Sequence, residues 1–154
     1  MMRKVLFVCT GNTCRSPMAA VVLQDKVKAE CLTNEIYVSS AGLAAVPGSP
    51  AADNACAAVA SLGLSLGSHK ATALSMNMIE AADLVFTMTR QHRDAILRAL
   101  PTAGRKVFTL TEYVEAAEEE ITDPYGGDLS SYHNCLLLLK KNIDKAWPMI
   151  RALV

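Results

Sequence analysis

Apolar residues in this chain fall into short continuous blocks that alternate with longer stretches where they recur every three or four positions. Val5-Leu6-Phe7-Val8 is the first block, β-branched and aromatic, with the pattern of a strand buried on both faces of a parallel sheet. Similar blocks predict strands at residues 35–39, 83–87 and 106–110. Between them lie helical segments. Ser16-Pro17 reads as a helix start, with Ser16 as N-cap and Pro17 in the first helical position, and the helix runs to about Glu30. Residues 51–62 form an alanine-rich helix ended by Gly63, Ser75 caps a short helix reaching Ala81, and residues 91–100 are helical up to Pro101. The final helix begins near Asp128 and carries Tyr132, Cys135, Leu136, Leu139, Ile143, Trp147 and Ile150 on one stripe, with Lys140, Lys141, Asp144 and Lys145 opposite.

Strands alternating with helices over the whole chain imply an α/β fold, a parallel sheet covered on both sides, in which ligands bind beyond the carboxyl ends of strands. The loop after Val8 sits at such an end. Loops of small residues, Gly and Pro fill residues 42–50, and an acidic segment at 115–120 precedes the turn Asp123-Pro124-Tyr125-Gly126-Gly127. At 154 residues, with no internal repeat or linker, residues 1–154 are expected to form a single domain.

Fifteen basic and fifteen acidic side chains cancel, and no Lys/Arg-rich block appears, so no nucleic-acid or anionic-membrane partner is expected. The charged start before Val5 is followed by an apolar run that breaks at Gly11-Asn12, too soon for an export signal, and no later run is long enough to span a bilayer. A soluble, cytoplasmic protein is expected. Five scattered cysteines, Cys9, Cys14, Cys31, Cys56 and Cys135, argue for free thiols and not a disulfide framework. None pairs at zinc-knuckle spacing, and His69, His92 and His133 do not cluster beside any of them, so no metal and no cofactor is expected.

The candidate chemistry lies in Cys9-Thr10-Gly11-Asn12-Thr13-Cys14-Arg15. A cysteine six positions before an arginine is weak evidence by itself, but here the cysteine ends a strand and the arginine precedes a helix start. Gly11 and Asn12 tolerate positive φ and let backbone N–H groups converge on an anion. The helix N-terminus, those amides and the Arg15 guanidinium all favour a thiolate at Cys9, and the Ser16 hydroxyl is placed to donate to its sulfur. The same groups suit a phosphate dianion, with Arg15 offering a planar fork to two oxygens. A Walker-type nucleotide loop is excluded because its Gly-Lys-Ser/Thr ending is missing. Asp123, fixed by Pro124 and followed by Gly126-Gly127, is the best candidate for a proton donor to the leaving group.

From Val5 to Pro17 and through Asp123-Pro124-Tyr125, over nearly the whole chain, the sequence resembles the low-molecular-weight protein tyrosine phosphatase family. The resemblance implies a four-stranded parallel sheet flanked by helices on both faces, a flavodoxin-like three-layer α/β/α arrangement. It also implies that Cys9 is the nucleophile, that Arg15 binds phosphate and stabilises the transition state, that Ser16 supports the thiolate, and that Asp123 is the general acid. Phosphate would be bound by residues 10–16, that is Thr10, Gly11, Asn12, Thr13, Cys14, Arg15 and Ser16, and sulfate would serve as an analogue. Asn12, Ser40 in Ser40-Ala41-Gly42 and His69 in Ser68-His69-Lys70-Ala71 match the family's network that holds the loop. Cys14 matches a cysteine that in relatives forms a reversible disulfide with the nucleophile, which implies redox sensitivity at Cys9 and Cys14.

Within the family the loop is similar to that of bacterial protein arginine phosphatases, chiefly at Thr13, where tyrosine phosphatases usually carry an apolar residue. Val107 through Val114 and the Asp123 turn point the same way, whereas Tyr125 is the tyrosine-phosphatase residue. Thr13 and Tyr125 are therefore the candidate selectivity residues. The expected function is hydrolysis of phosphoarginine in proteins through a thiophosphate on Cys9, with phosphotyrosine as the alternative substrate. An arsenate reductase would need two further cysteines close together downstream, and Cys56 and Cys135 are isolated. A phosphate-binding module without turnover would have no need of Cys9 and Asp123. Phosphorylated proteins are the expected partners, with the enzyme a monomer or weak homodimer.

Overall fold

The computed structural model describes residues 2–117 and 120–154, so the acidic segment expected at 115–120 lies partly outside the described residues. Four parallel strands, β1 (Arg3–Cys9), β2 (Ile36–Gly42), β3 (Leu84–Thr87) and β4 (Val107–Thr109), form one sheet in the order β2-β1-β3-β4. Chain order departs from β1 to one side and then crosses to the other. That reversal opens a crevice at the carboxyl end of β1, where Cys9 is the last strand residue.

Alternation along β1 feeds two cores. Val5, Phe7 and Cys9 face a layer that includes α1 (Arg15–Ala29), α2 (Asp53–Ala60) and α6 (Leu129–Arg151). Leu6 and Val8 face α3 (Met76–Ala81) and α4 (Arg90–Ala99), with Ile79 and Ile96 packed against them. The result is the three-layer α/β/α sandwich. Phe7 and Phe86 are fully buried with ring centroids 5.5 Å apart, and burying each such side chain contributes roughly 1.5–3 kcal/mol.

Expected and observed elements differ where side-chain chemistry competes with pattern. The first helix begins at Arg15 with Cys14 in the N-cap position and no side-chain cap, not at Ser16, because the Ser16 hydroxyl is committed to Cys9 and Asn12. The fourth strand ends at Thr109, since Thr109 and Glu112 close a capping box that starts α5 (Leu110–Tyr113). The alanine-rich helix is shorter than 51–62 at both ends, and Gly63 adopts φ 74° beyond it. On α6 the stripe is buried as expected except at Trp147, which is only partly buried and donates its indole N–H to Glu30. Ser75 and Asp128 cap α3 and α6, accepting from Met78 N at 3.2 Å and Ser131 N at 2.9 Å.

Candidate active site

Asn12 organises the loop between β1 and α1. It is fully buried, takes φ 56°, and satisfies every polar atom of its side chain. Its Nδ2 donates to Ser16 Oγ at 2.8 Å and Ser40 Oγ at 2.9 Å, and its Oδ1 accepts from Thr72 N at 2.9 Å. Its carbonyl accepts from His69 Nε2 at 2.7 Å, which fixes the proton on that ring nitrogen because a carbonyl cannot donate. Between Cys9 and Arg15 positive φ is thus needed at Asn12 alone, and Gly11 is not in the left-handed region. The glycine that geometry demands is Gly42, the last residue of β2. A Cβ there would stand 2.5 Å from the Thr10 carbonyl oxygen and 2.9 Å from Asn12 N. Leu43 N and Ala44 N continue this support by donating to the carbonyls of Cys9 and Thr10.

Cys9 Sγ lies 2.9 Å from Ser16 Oγ. Since that oxygen already accepts from Asn12, its own hydrogen is free to point at the sulfur; the other acceptor, Ala41 O, is at 3.5 Å. Arg15, 4% exposed, donates from Nη1 to Ile121 O at 3.0 Å, and its Nη2 lies 3.5 Å from Asp123 Oδ2. Its Nε is buried with no hydrogen-bond partner among the described residues. Nε and Nη2 form one edge of the guanidinium, the edge suited to two phosphoryl oxygens.

Asp123 accepts from Tyr125 N at 3.0 Å in a tight turn, with Pro124 buried and the Tyr125 ring 76% exposed at the rim. A cavity of about 210 Å³ joins Cys9, Thr10, Gly11, Thr13, Cys14, Arg15, Asp123 and Tyr125. Of the expected phosphate-binding residues, Asn12 and Ser16 have their side chains fully buried away from this cavity, whereas Ser40 and His69 meet them from outside the loop. Cys14 Sγ is 3.4 Å from Tyr132 OH, and burial pushes its thiol up, opposed by hydrogen bonds from Tyr132 and Thr13. Cys135, nearby on α6, is pushed up to about 12 by burial. Among the described residues no group of three or more His, Cys, Asp or Glu side chains is arranged to hold a metal.

Sequence reasoning missed His92, Thr72, Gly42 and the Ile121 carbonyl. His92 belongs to α4, which follows the carboxyl end of β3, beside the crevice; that position was the signal available. Its Nε2 is 2.9 Å from Thr10 Oγ1, and burial followed by repulsion from Arg15 lowers its pKa to about 4.

Residues 4–152 match the family described as low molecular weight phosphotyrosine protein phosphatase. A protein-arginine-phosphatase of Geobacillus stearothermophilus is 37% identical over 142 residues, 92% of each chain. A probable low molecular weight protein-tyrosine-phosphatase, EpsP, of Ralstonia nicotianae is 32% identical over 99% of each. Among solved structures, the YwlE arginine phosphatase cysteine-to-serine mutant with a phosphorylated active-site serine superposes with TM-score 0.89 at 34% identity, covering 96% of this chain and 95% of that one. A strand-end cysteine, an arginine fork and an aspartate around one cavity are the parts a cysteine-dependent phosphatase requires, and the chain belongs to the low-molecular-weight phosphotyrosine protein phosphatase family.

Proposed function

We propose that the protein is a protein-arginine phosphatase, acting as a single cytoplasmic domain on phosphorylated proteins. The Cys9 thiolate attacks phosphorus in line with the scissile P–N bond while Arg15 and the loop amides hold the phosphoryl oxygens. Asp123, protonated at this stage, gives its proton to the leaving guanidine nitrogen as that bond breaks. The Asp123 carboxylate then takes a proton from water, whose oxygen attacks the phosphocysteine and releases phosphate and the Cys9 thiolate. All five cysteines are free, in keeping with a reducing compartment.

The observation that carries the substrate reading is Thr13, a hydroxyl-bearing residue that lines the cavity together with the exposed rim residue Tyr125. A hydroxyl in that wall can accept a hydrogen bond from a planar, charged guanidinium, which carries only N–H donors. The first relative named above, a protein-arginine-phosphatase, supports the same reading. Turnover of phosphoarginine and phosphotyrosine peptides by the wild type and Thr13→Ile is the test. The wild type is expected to favour phosphoarginine and Thr13→Ile to reverse that order. Equal or better phosphotyrosine turnover by the wild type overturns the arginine reading and leaves tyrosine phosphatase in its place.

A further inference from the structure

His92 reaches the phosphoryl loop from α4, with Nε2 2.9 Å from Thr10 Oγ1 across 82 residues of sequence. Its backbone N–H is committed to the Thr89 hydroxyl at 3.2 Å. The ring is 6% exposed, and Nδ1 is buried with no hydrogen-bond partner among the described residues. These facts decide its protonation. An imidazolium would bury an unpaired N–H donor close to Arg15, a costly arrangement. Burial, then Arg15, hold the ring neutral against the opposing pull of Asp123 and Glu120. Of the two neutral tautomers, one with the hydrogen on Nδ1 buries an unpaired donor; the other leaves only an unpaired lone pair, the less costly defect. Nε2 therefore carries the hydrogen and donates to Thr10.

A threonine hydroxyl that accepts from one side has to send its own hydrogen elsewhere, and Thr10 lines the cavity with Cys9 and Arg15. We propose that His92 is a positioning residue that donates to Thr10 and thereby aims the Thr10 hydroxyl into the cradle as a donor to the phosphoryl group. It adds a side-chain donor to the backbone amides and ties the start of the loop to the β3–β4 side of the sheet. Asn12, Ser40 and His69 hold the loop from the β2 side, so the two sets of bonds clamp it from both flanks. This inference rests on the phosphoryl-cradle reading and is independent of the choice between phosphoarginine and phosphotyrosine.

The test uses p-nitrophenyl phosphate with the wild type, Thr10→Val, His92→Phe, His92→Gln and the Thr10→Val/His92→Phe double variant, with inorganic phosphate as inhibitor. Thr10→Val and His92→Phe should each lose about five- to tenfold in kcat/KM and weaken phosphate inhibition by a similar factor. The double variant should lose no more than either single one, and His92→Gln, which retains a donor, should recover most of the activity. Nitrogen NMR of the wild-type imidazole should show the hydrogen on Nε2. Multiplying losses in the double variant, no recovery with Gln, or a hydrogen on Nδ1 would each overturn the inference. The NMR measurement needs no variant and decides the matter even if His92→Phe does not fold. A wild type that neither turns over the aryl phosphate nor binds phosphate overturns the cradle itself.

Discussion

Ser16 Oγ stands 2.9 Å from Cys9 Sγ while accepting from Asn12 Nδ2, so the serine hydroxyl is aimed at the Cys9 sulfur by a side chain four residues earlier in the loop. A hydrogen bond to a charged group contributes roughly 1.5–3 kcal/mol. Ser16→Ala should therefore slow alkylation of Cys9 by iodoacetamide at neutral pH by about tenfold or more. An unchanged rate would show that the loop amides and Arg15 suffice.

Asp123 occupies the cavity rim 3.5 Å from Arg15 and is exposed enough to meet a leaving group. Asp123→Asn should lower kcat/KM on phosphorylated peptides, which reports the steps up to departure of the leaving group, by roughly 10²–10⁴-fold, the usual worth of a general acid. The loss should be much smaller for p-nitrophenyl phosphate, whose leaving group needs little protonation. Equal losses on both substrates would assign Asp123 a purely electrostatic part.

Gly42 shows that the loop leans on the end of β2. A methyl group there meets backbone atoms of Thr10, Asn12 and Gly11 at 2.5–3.0 Å, none of which is a flexible side chain able to swing aside. Gly42→Ala should cost about 1–3 kcal/mol of stability in urea unfolding and abolish most turnover, with secondary structure retained by circular dichroism. Full activity in this variant would contradict the tight contact.

His92 has its folded pKa lowered from the ordinary 6.5 to about 4, so between those values the unfolded chain binds more protons than the folded one. Its contribution to stability is complete above pH 6.5 and is lost as pH falls towards 4, a total on the order of 3 kcal/mol. Arg15 adds to the shift, while Asp123 and Glu120 oppose it. Urea unfolding from pH 7 to pH 4 should show this loss, and His92→Gln should flatten the curve over that window. An identical curve in the variant would assign the acid sensitivity to other groups.

Cys9 and Cys14 belong to one cavity, and we expect peroxide to oxidise the Cys9 thiolate to a sulfenic acid, whose sulfur the Cys14 thiol then attacks, expelling the hydroxyl as water and forming a disulfide. Dithiothreitol should then restore activity to the wild type and not to Cys14→Ser. Equal recovery in both would rule out protection by this pair.

The β-branched blocks, the helix stripe and the cysteine-to-arginine loop could all be read along the chain, because buried strands, amphipathic helices and an anion cradle each impose local spacing. Asp123 stood out as a candidate from its turn chemistry, with Asp-Pro and two glycines in succession. Local pattern failed at Ser16, since a serine before proline looks like a cap until its hydroxyl is seen to be shared by Cys9 and Asn12. Gly42 and His92 lie 33 and 83 residues from Cys9 and carry no spacing signal toward it. What places them at the loop is the sheet order, which sets β2 and β3 on either side of β1. The sequence alone singled out Cys9, Arg15 and Asp123 as the candidates for the phosphatase chemistry. Only the tertiary structure decided what clamps them, because a hydrogen bond acts over about 3 Å whatever the separation along the chain.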